Sequence, residues 1–434
     1  MTSLYERSLK VLPPVAQRAT KLGIVRGSGL HLTDEAGVDY LDFAAGVGVV
    51  NCGHNNPQVV AAVDAQLHEL IHGGHNVVYY PSYIQLAEKM TQRLGGDYKV
   101  YFSNSGAEAN EGAVKLAMQV THRDGVIAFT GSFHGRTMLT TSMTASGAIY
   151  HENYQGMLPP VYHVDFPDIY NTDLTADQES DRCIQQLRQL FKTTIAADQV
   201  ACIVVEPVQG EGGYIPAPKV FLEKLQAICQ AQGILLIFDE VQSGYGRTGT
   251  WFAFEQYGVT PDILTAAKGI ANGLPLSAVL AKSALMDQWT PGTHGGTFGG
   301  NPLACAAGCA VLDIMDADFL AHVRQTGAYF MAKLQTLQGQ YPMIKDVRGL
   351  GLMIGLQFKD YGGLLAPELV AKVVAKALDH HLILLTCGVS HEVIRFIPPL
   401  VVTETEIDQA YGILATSLAE VQAELEVGNG ISSR

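Results

Sequence analysis

Charge is scarce in this chain. Only 16% of its 434 residues are charged, and Lys and Arg together number 28 against 42 Asp and Glu. The formal charge of −14 comes with no basic run and no interleaving of basic and aromatic residues, which argues against nucleic acid as a partner. Nothing approaches the roughly 18 consecutive apolar residues of a membrane-spanning helix. The N-terminal stretch Met1–Pro14 is amphipathic, is interrupted by Pro13-Pro14, and lacks the apolar core of a signal peptide. Cysteine is too sparse and scattered to act as a staple: seven residues, an odd number in mostly apolar segments, make no disulfide framework. Cys305 and Cys309 fall in an Ala-rich helical stretch without a second ligand pair, a pattern of buried packing rather than metal binding. These absences predict a soluble, cytoplasmic protein with no nucleic-acid or membrane partner. What is present is a 47% hydrophobic composition with 45 Gly, enough for a large core with many tight turns, in a length that predicts two or more lobes.

Two ionisable residues stand out by position. Asp239 closes the apolar run Gly233–Asp239, and Lys268 closes Ile263–Lys268, 29 residues later. Both runs read as short buried strands of a parallel sheet. Each places its side chain at a strand's carboxyl end, where open α/β sheets bind ligands. An Asp and a Lys delivered there together suit pyridoxal 5'-phosphate (PLP): a Lys holds the aldehyde as a Schiff base and an Asp pairs with the pyridinium nitrogen. Two structural residues at a sheet rim are the alternative.

The organisation fits that placement. Strands around a turn at Asp34–Gly37 occupy Gly29–Phe43, and helical patterns run over Pro57–Ile71 and Pro81–Leu94. Strands then alternate with helices: Lys99–Ser103, a helix from Gly106, Gly125–Phe129, Val200–Glu206, a helix over Lys219–Gln232, and the two runs named above. This alternation predicts an α/β fold built on a large, doubly wound, mainly parallel sheet. The polar and then helical stretch Asn171–Ala197 reads as a surface excursion. After the helical stretches Leu303–Met315 and Phe319–Leu337, a βαβ-like tail (Met353–Phe358, Glu368–His380, Leu382–Leu385, Val393–Phe396, a helix from Glu404) reads as a second, smaller α/β lobe, and Gly428–Arg434 as a frayed end.

Three further segments follow strands. Ser105 and Glu108 make a capping-box pattern at a helix opening with small residues, Gly106-Ala107, where free N–H groups and the helix dipole favour a phosphate. In Phe133–Thr137 an aromatic is placed to lie on a pyridine ring, and the fork of Arg136 suits a substrate carboxylate. Glu206–Gly213 puts two acids, Glu206 and Glu211, in a Gly-rich loop at a strand end. Two patterns are decoys. His68-Glu69-Leu70-Ile71-His72 fits H-E-x-x-H on one helical face, but no acid clearly completes a zinc set, and no metal is expected. Gly244–Gly249 fits G-x-G-x-x-G, yet Glu240–Ser243 separate it from the strand and Trp251-Phe252 follow where a helix should open, so a loop is predicted and not a nicotinamide site.

In order, Ser105–Asn110, Phe133–Thr137, Glu206–Gly213, Asp239–Gln242, Gly246–Gly249, Lys268 and Gly296–Pro302 resemble the class III aminotransferases of PLP fold type I, over essentially the whole chain. Within that family the likeness is greatest to 4-aminobutyrate aminotransferases, with acetylornithine and ornithine aminotransferases further off. The resemblance implies a large PLP-binding domain at 56–315, a small C-terminal domain at 316–434, and an N-terminal segment, 1–55, that joins the small one. It implies that Lys268 is the Schiff-base lysine and proton shuttle and that Asp239 keeps the ring nitrogen protonated. Ser105, Gly106, Ala107, Phe133, Glu206 and Gln242 become cofactor contacts: Gly106 and Ala107 at the phosphate, Phe133 stacked on the ring, Gln242 at its 3-oxygen. Thr297 would reach the phosphate of a neighbouring subunit, making a homodimer or a dimer of dimers. Arg395 would take an α-carboxylate, Glu211 would pair with Arg395 when the donor has none, and Arg136 would hold the distal carboxylate. The implied reaction is ping-pong transfer from an ω-amino acid to 2-oxoglutarate. Val47 stands where the 4-aminobutyrate enzymes usually carry Ile, a one-methylene difference worth about 1–3 kcal/mol in discrimination, which admits a larger donor. Amino-acid epimerases share the fold, and some of them lack an Arg at the position of Arg136.

Overall fold

The computed structural model describes residues 2–15 and 18–428; the terminal residues expected to fray lie largely outside that range. Its centre is a seven-stranded sheet in the order Tyr98–Ser103, Ser277–Lys282, Ile263–Ala266, Leu235–Asp239, Val200–Val205, Gly125–Phe129, Tyr162–Val164. Only Ser277–Lys282 runs against the rest, antiparallel to both neighbours. The inner strands are buried on both faces, which is why they read as continuous apolar runs and not as alternating ones. Helix Gly106–Thr121 covers one face, packing Ala109, Ala113, Leu116 and Ala117 against Val126, Ala128, Val204 and Val279.

Several expectations need correcting. The Ser277–Lys282 strand and the Tyr162–Val164 edge are additional: half of the first is Ser or Ala and the second is only three long, so neither announces itself in sequence. The stretch read as a surface excursion carries a helix, Ala176–Thr193, whose Cys183, Ile184 and Leu187 are buried in the main core against helix Lys219–Gln232. It is amphipathic, with an apolar stripe hidden in a polar composition. The tail is not βαβ: Ile344–Leu350, Met353–Phe358, Val393–Phe396 and Leu385–Cys387 form an antiparallel sheet in that order. Its first strand, Ile-Lys-Asp-Val-Arg-Gly-Leu, is disguised by charges.

Near the N-terminus, Ile24–Ser28, His31–Asp34 and Asp39–Asp42 form an antiparallel meander. Its bend falls where expected, with Asp34 Oδ1 accepting the N–H groups of Ala36 and Val38, both at 2.9 Å. Leu382–Ile383 joins this meander in parallel, Leu382 opposite Leu41. Among the described residues no helix is long and apolar enough to cross a membrane. All seven cysteines are free thiols.

Candidate active site

Sheet register brings Asp239 and Lys268 together. Asp239 lies opposite Thr265 in the parallel pair of strands, and Lys268 follows three residues later. The strand ends at Ala266, so Lys268 opens a single 3₁₀ turn at φ +48, a left-handed conformation, and lines the cavity beside Asp239. Asp239 is buried and held from three sides. Its Oδ2 accepts from Asn110 Nδ2 at 2.7 Å and from His134 Nδ1 at 2.7 Å, and its Oδ1 from the Val241 N–H at 3.0 Å. Asn110 is fixed in turn by Thr265 Oγ1, which donates to its Oδ1 at 2.8 Å.

The electrostatics follow from burial. Burial disfavours the His134 imidazolium, but the bond to Asp239 and the charges of Asp239 and Glu206 outweigh it and raise the pKa. Nδ1–H is therefore the donor, and Nε2 is buried without a partner. Glu206, which accepts the N–H groups of Phe133 and Gly210, is pushed up to about 7 by burial. Lys268 is pushed down to about 8, burial outweighing the carboxylates of Glu211, Asp239 and Glu206.

These groups line a cavity of about 320 Å³ whose far end is the start of helix Gly106–Thr121. Ser105 caps that helix by accepting the Glu108 N–H at 3.2 Å, while the Glu108 carboxylate reaches back to the Asn104 N–H and not to that of Ser105. The capping box is thus displaced by one residue. The first N–H groups, of Gly106 and Ala107, have no partner among the described residues, and both residues line the cavity. A Cβ on Gly106 would stand 2.8 Å from Val241 Cγ1, so glycine is what lets this turn close on the Asp239–Gln242 segment.

On the opposite side, Glu211 Oε1 accepts from Arg395 Nη1 at 2.5 Å. Glu211 raises the guanidinium's pKa against the effect of burial. Of the predicted site residues, Ser105, Gly106, Ala107, Phe133, Glu206, Glu211, Asp239, Gln242 and Lys268 line the cavity; Val47, Arg136, Thr297 and Arg395 do not, although Glu211 ties Arg395 to it. Arg136 lies over two aromatic rings, 5.9 Å from the centroid of Phe133 and 4.9 Å from that of Tyr150. Thr297 is exposed beside Phe298. Val47 is 37% exposed in a left-handed turn, Ala45–Gly48, in which all four residues have positive φ. A β-branched residue there stores roughly 1–3 kcal/mol of strain. The turn delivers Val49, two residues on, to the cavity wall.

Residues given no role from sequence include His134, Asn110, Thr265 and Arg247. Asn110 was detectable as a polar residue on a helix face otherwise of Ala, Gly and Val, and Thr265 as the one hydroxyl in an apolar strand. Arg247, inside the G-x-G-x-x-G decoy, is fully buried. Its Nη1 donates to the carbonyls of Leu352 (3.1 Å) and Pro398 (2.6 Å), and its Nη2 to Asn51 Oδ1 (2.8 Å). Burial lowers its pKa to about 10, with no carboxylate among the described residues paired to it. The H-E-x-x-H helix ends at Glu69, so His68 and His72 do not share a helical face.

Comparison with known proteins agrees with this geometry. The family model described as "Aminotransferase class-III" matches residues 14–418. A probable 4-aminobutyrate aminotransferase of Bacillus subtilis strain 168 is 41% identical over 401 residues, 91% of this chain and 92% of its own. A 5-aminovalerate aminotransferase of Pseudomonas aeruginosa is 40% identical over 96% of this chain and 98% of its own. Among solved structures, a PLP-bound amine transaminase from an uncultivated Pseudomonas species superposes with a TM-score of 0.88 at 32% identity, covering 95% of this chain and 99% of that one.

Proposed function

This chain belongs to the class III aminotransferases and is a PLP-dependent enzyme, and we propose that it moves the amino group of an ω-amino acid, of the 4-aminobutyrate or 5-aminovalerate kind, to 2-oxoglutarate by a ping-pong route. The closed Glu211–Arg395 pair carries this reading. A guanidinium meant for an α-carboxylate is neutralised by a carboxylate of the chain itself, which suits a donor that has no α-carboxylate. An unpaired charge in that buried position would be costly.

The residues present fit the cofactor. Gly106 and Ala107 offer unpartnered N–H groups beside the Ser105 cap, as a phosphate requires. Gln242 is buried on the cavity wall with no partner for its carboxamide oxygen among the described residues, and its amide N–H would donate to the ring's 3-oxygen. Phe133 would stack on the ring, and Asp239, oriented by His134 and Asn110, would hold a proton on the ring nitrogen. Glu206 would bound the cavity beneath Phe133. PLP, when bound, supplies the carbonyl that takes up the amine and the electron sink that makes the adjacent C–H acidic. Lys268 is the group that moves the proton: an amine near 8 exchanges protons close to neutral pH. When the acceptor arrives, Glu211 would release Arg395 to its α-carboxylate, and Arg136 would take the distal one.

A second copy of the chain completes this reading. Ile71, Val77, Tyr79 and Phe298 are exposed, Tyr79 by 94%, and the stretch 71–79 is tied to the loop of Thr297 by Asn76 Nδ2, which donates to the Gly296 carbonyl at 3.1 Å, as an interface would need. Thr297 would serve the partner's phosphate site. Free thiols throughout support a cytoplasmic setting. The test is a donor screen with 2-oxoglutarate as acceptor, comparing 4-aminobutyrate, 5-aminovalerate, ornithine and acetylornithine. Activity with ω-amino acids and a Lys268→Ala variant unable to retain PLP absorbance are expected. A colourless protein that also fails to take up added PLP would overturn the reading.

A further inference from the structure

Among the buried polar atoms that have no partner within the described residues are the Tyr214 hydroxyl, Arg395 Nε and Arg247 Nε. Buried polar groups are nearly always paired, so orphans of this kind call for a reason. Tyr214 follows the Glu211-Gly212-Gly213 turn at φ +54 and is 0% exposed. It packs with Met353, Cys387, Val393 and Ile397, under the C-terminal sheet that carries Arg395. Within that sheet Gly355 stands directly opposite Arg395, so the side-chain directions of the two share one face. A Cβ on Gly355 would come within 3.2 Å of Tyr214 Cβ and 3.1 Å of Val393 Cγ1. Tyrosine and arginine therefore occupy one face of the sheet at one register, and the missing side chain of Gly355 makes the room. Burial raises the phenol's pKa, and Arg395 and Arg247 oppose the rise, as donors within electrostatic reach do.

Among the described residues the Arg395 guanidinium has a single hydrogen-bonded partner, Glu211. If Glu211 exchanges for a substrate carboxylate, as the function proposed above requires, the guanidinium gives up that anchor at the moment its aim matters most. We propose that the Tyr214 hydroxyl is a positioning group that accepts the Arg395 Nε–H when Glu211 lets go, so that the guanidinium stays directed at an arriving α-carboxylate. The inference rests on the Glu211–Arg395 exchange and adds its missing third member. Tyr214 touches no substrate and acts only through Arg395. Its influence is therefore confined to ligands with an α-carboxylate, because with an ω-amino acid bound Glu211 stays on Arg395.

Tyr214→Phe removes one oxygen and keeps the ring. In the holoenzyme its KM for 2-oxoglutarate and its Kd for glutarate, an unreactive dicarboxylate measured by calorimetry, are expected to rise roughly 10- to 100-fold, the loss typical of a bond to a charged group. The KM for 4-aminobutyrate is expected to move far less. Equal weakening toward both substrates, or a fall in melting temperature with unchanged glutarate affinity, overturns the role and leaves Tyr214 as packing or as a partner of Arg247. Arg395→Lys separates the two layers. If Arg395→Lys binds glutarate as tightly as the wild type, the carboxylate-exchange reading itself is wrong. If Arg395→Lys binds weakly while Tyr214→Phe binds normally, only the role of Tyr214 falls.

Discussion

Replacing His134 by Asn tests how Asp239 is held. An Asn amide can place a neutral donor near the position of His134 Nδ1, so the substitution keeps the 2.7 Å bond to Asp239 but removes the charge. His134→Ala removes both. It leaves a buried carboxylate with one donor fewer, which costs about 3–5 kcal/mol when one partner of a buried pair is deleted. The smaller loss in the Asn variant should depend on pH with a definite sign. The His134 pKa is raised above its unfolded value of about 6.5. Its charged form therefore contributes stability that is fully present below pH 6.5 and is lost as pH rises through the folded pKa. The wild-type advantage over His134→Asn should be flat at low pH and then fall by up to ~1.4 kcal/mol per pH unit until it levels off. Glu206, pushed up to about 7 by burial, titrates in the same window, so the comparison belongs in a Glu206→Gln background. Urea unfolding at half-unit steps from pH 5 to 9 provides the measurement. An advantage that is constant, or that grows with pH, would refute the assignment of a charged His134 paired with Asp239.

Other outcomes follow from the same structure. Glu211→Ala should lower kcat/KM for 4-aminobutyrate roughly 10- to 100-fold, by leaving Arg395 uncompensated, and should spare donors that bring their own α-carboxylate; steady-state kinetics with both donor types check this. Uptake of PLP by the apoprotein needs a neutral Lys268 amine, so its rate, followed by absorbance, should climb with pH and flatten above about 8. Arg247→Ala takes the donor from two carbonyls and from Asn51 Oδ1, and should lower stability by more than about 3 kcal/mol in denaturant unfolding. Tyr79→Glu should shift the species seen by light scattering toward monomer.

Much of the site was legible because parallel strands announce themselves. Leu235–Asp239 and Ile263–Ala266 are apolar on both faces, so an ionisable residue at either end marks the rim where ligands bind. Ser105 and Gly106 were legible for a similar reason, as cap chemistry is local. What stayed hidden depends on partners distant in sequence. Asn110 and Thr265 are 155 positions apart, and no local pattern relates them. The antiparallel strand Ser277–Lys282 was missed because half of it is Ser or Ala and it carries no period, and Ile344–Leu350 because charges interrupt it. Arg136 shows the converse. Its motif was plain in sequence, but a flexible side chain leaning on Phe133 and Tyr150 is placed by its surroundings.

The Arg247 junction also bears on how the chain reaches this structure. One guanidinium collects acceptors at 51, 352 and 398, contacts separated by up to 196 residues on one side and 151 on the other. Loop closures of that span are slow to form, and until they do the guanidinium is best left in water. During synthesis the residues around Asp239 and Lys268 emerge well before Pro398, so their shared pocket has to wait for the last of the clamp. Maturation of the catalytic cavity should therefore be a late, whole-chain event in folding, and fragments ending short of residue 398 should remain open there.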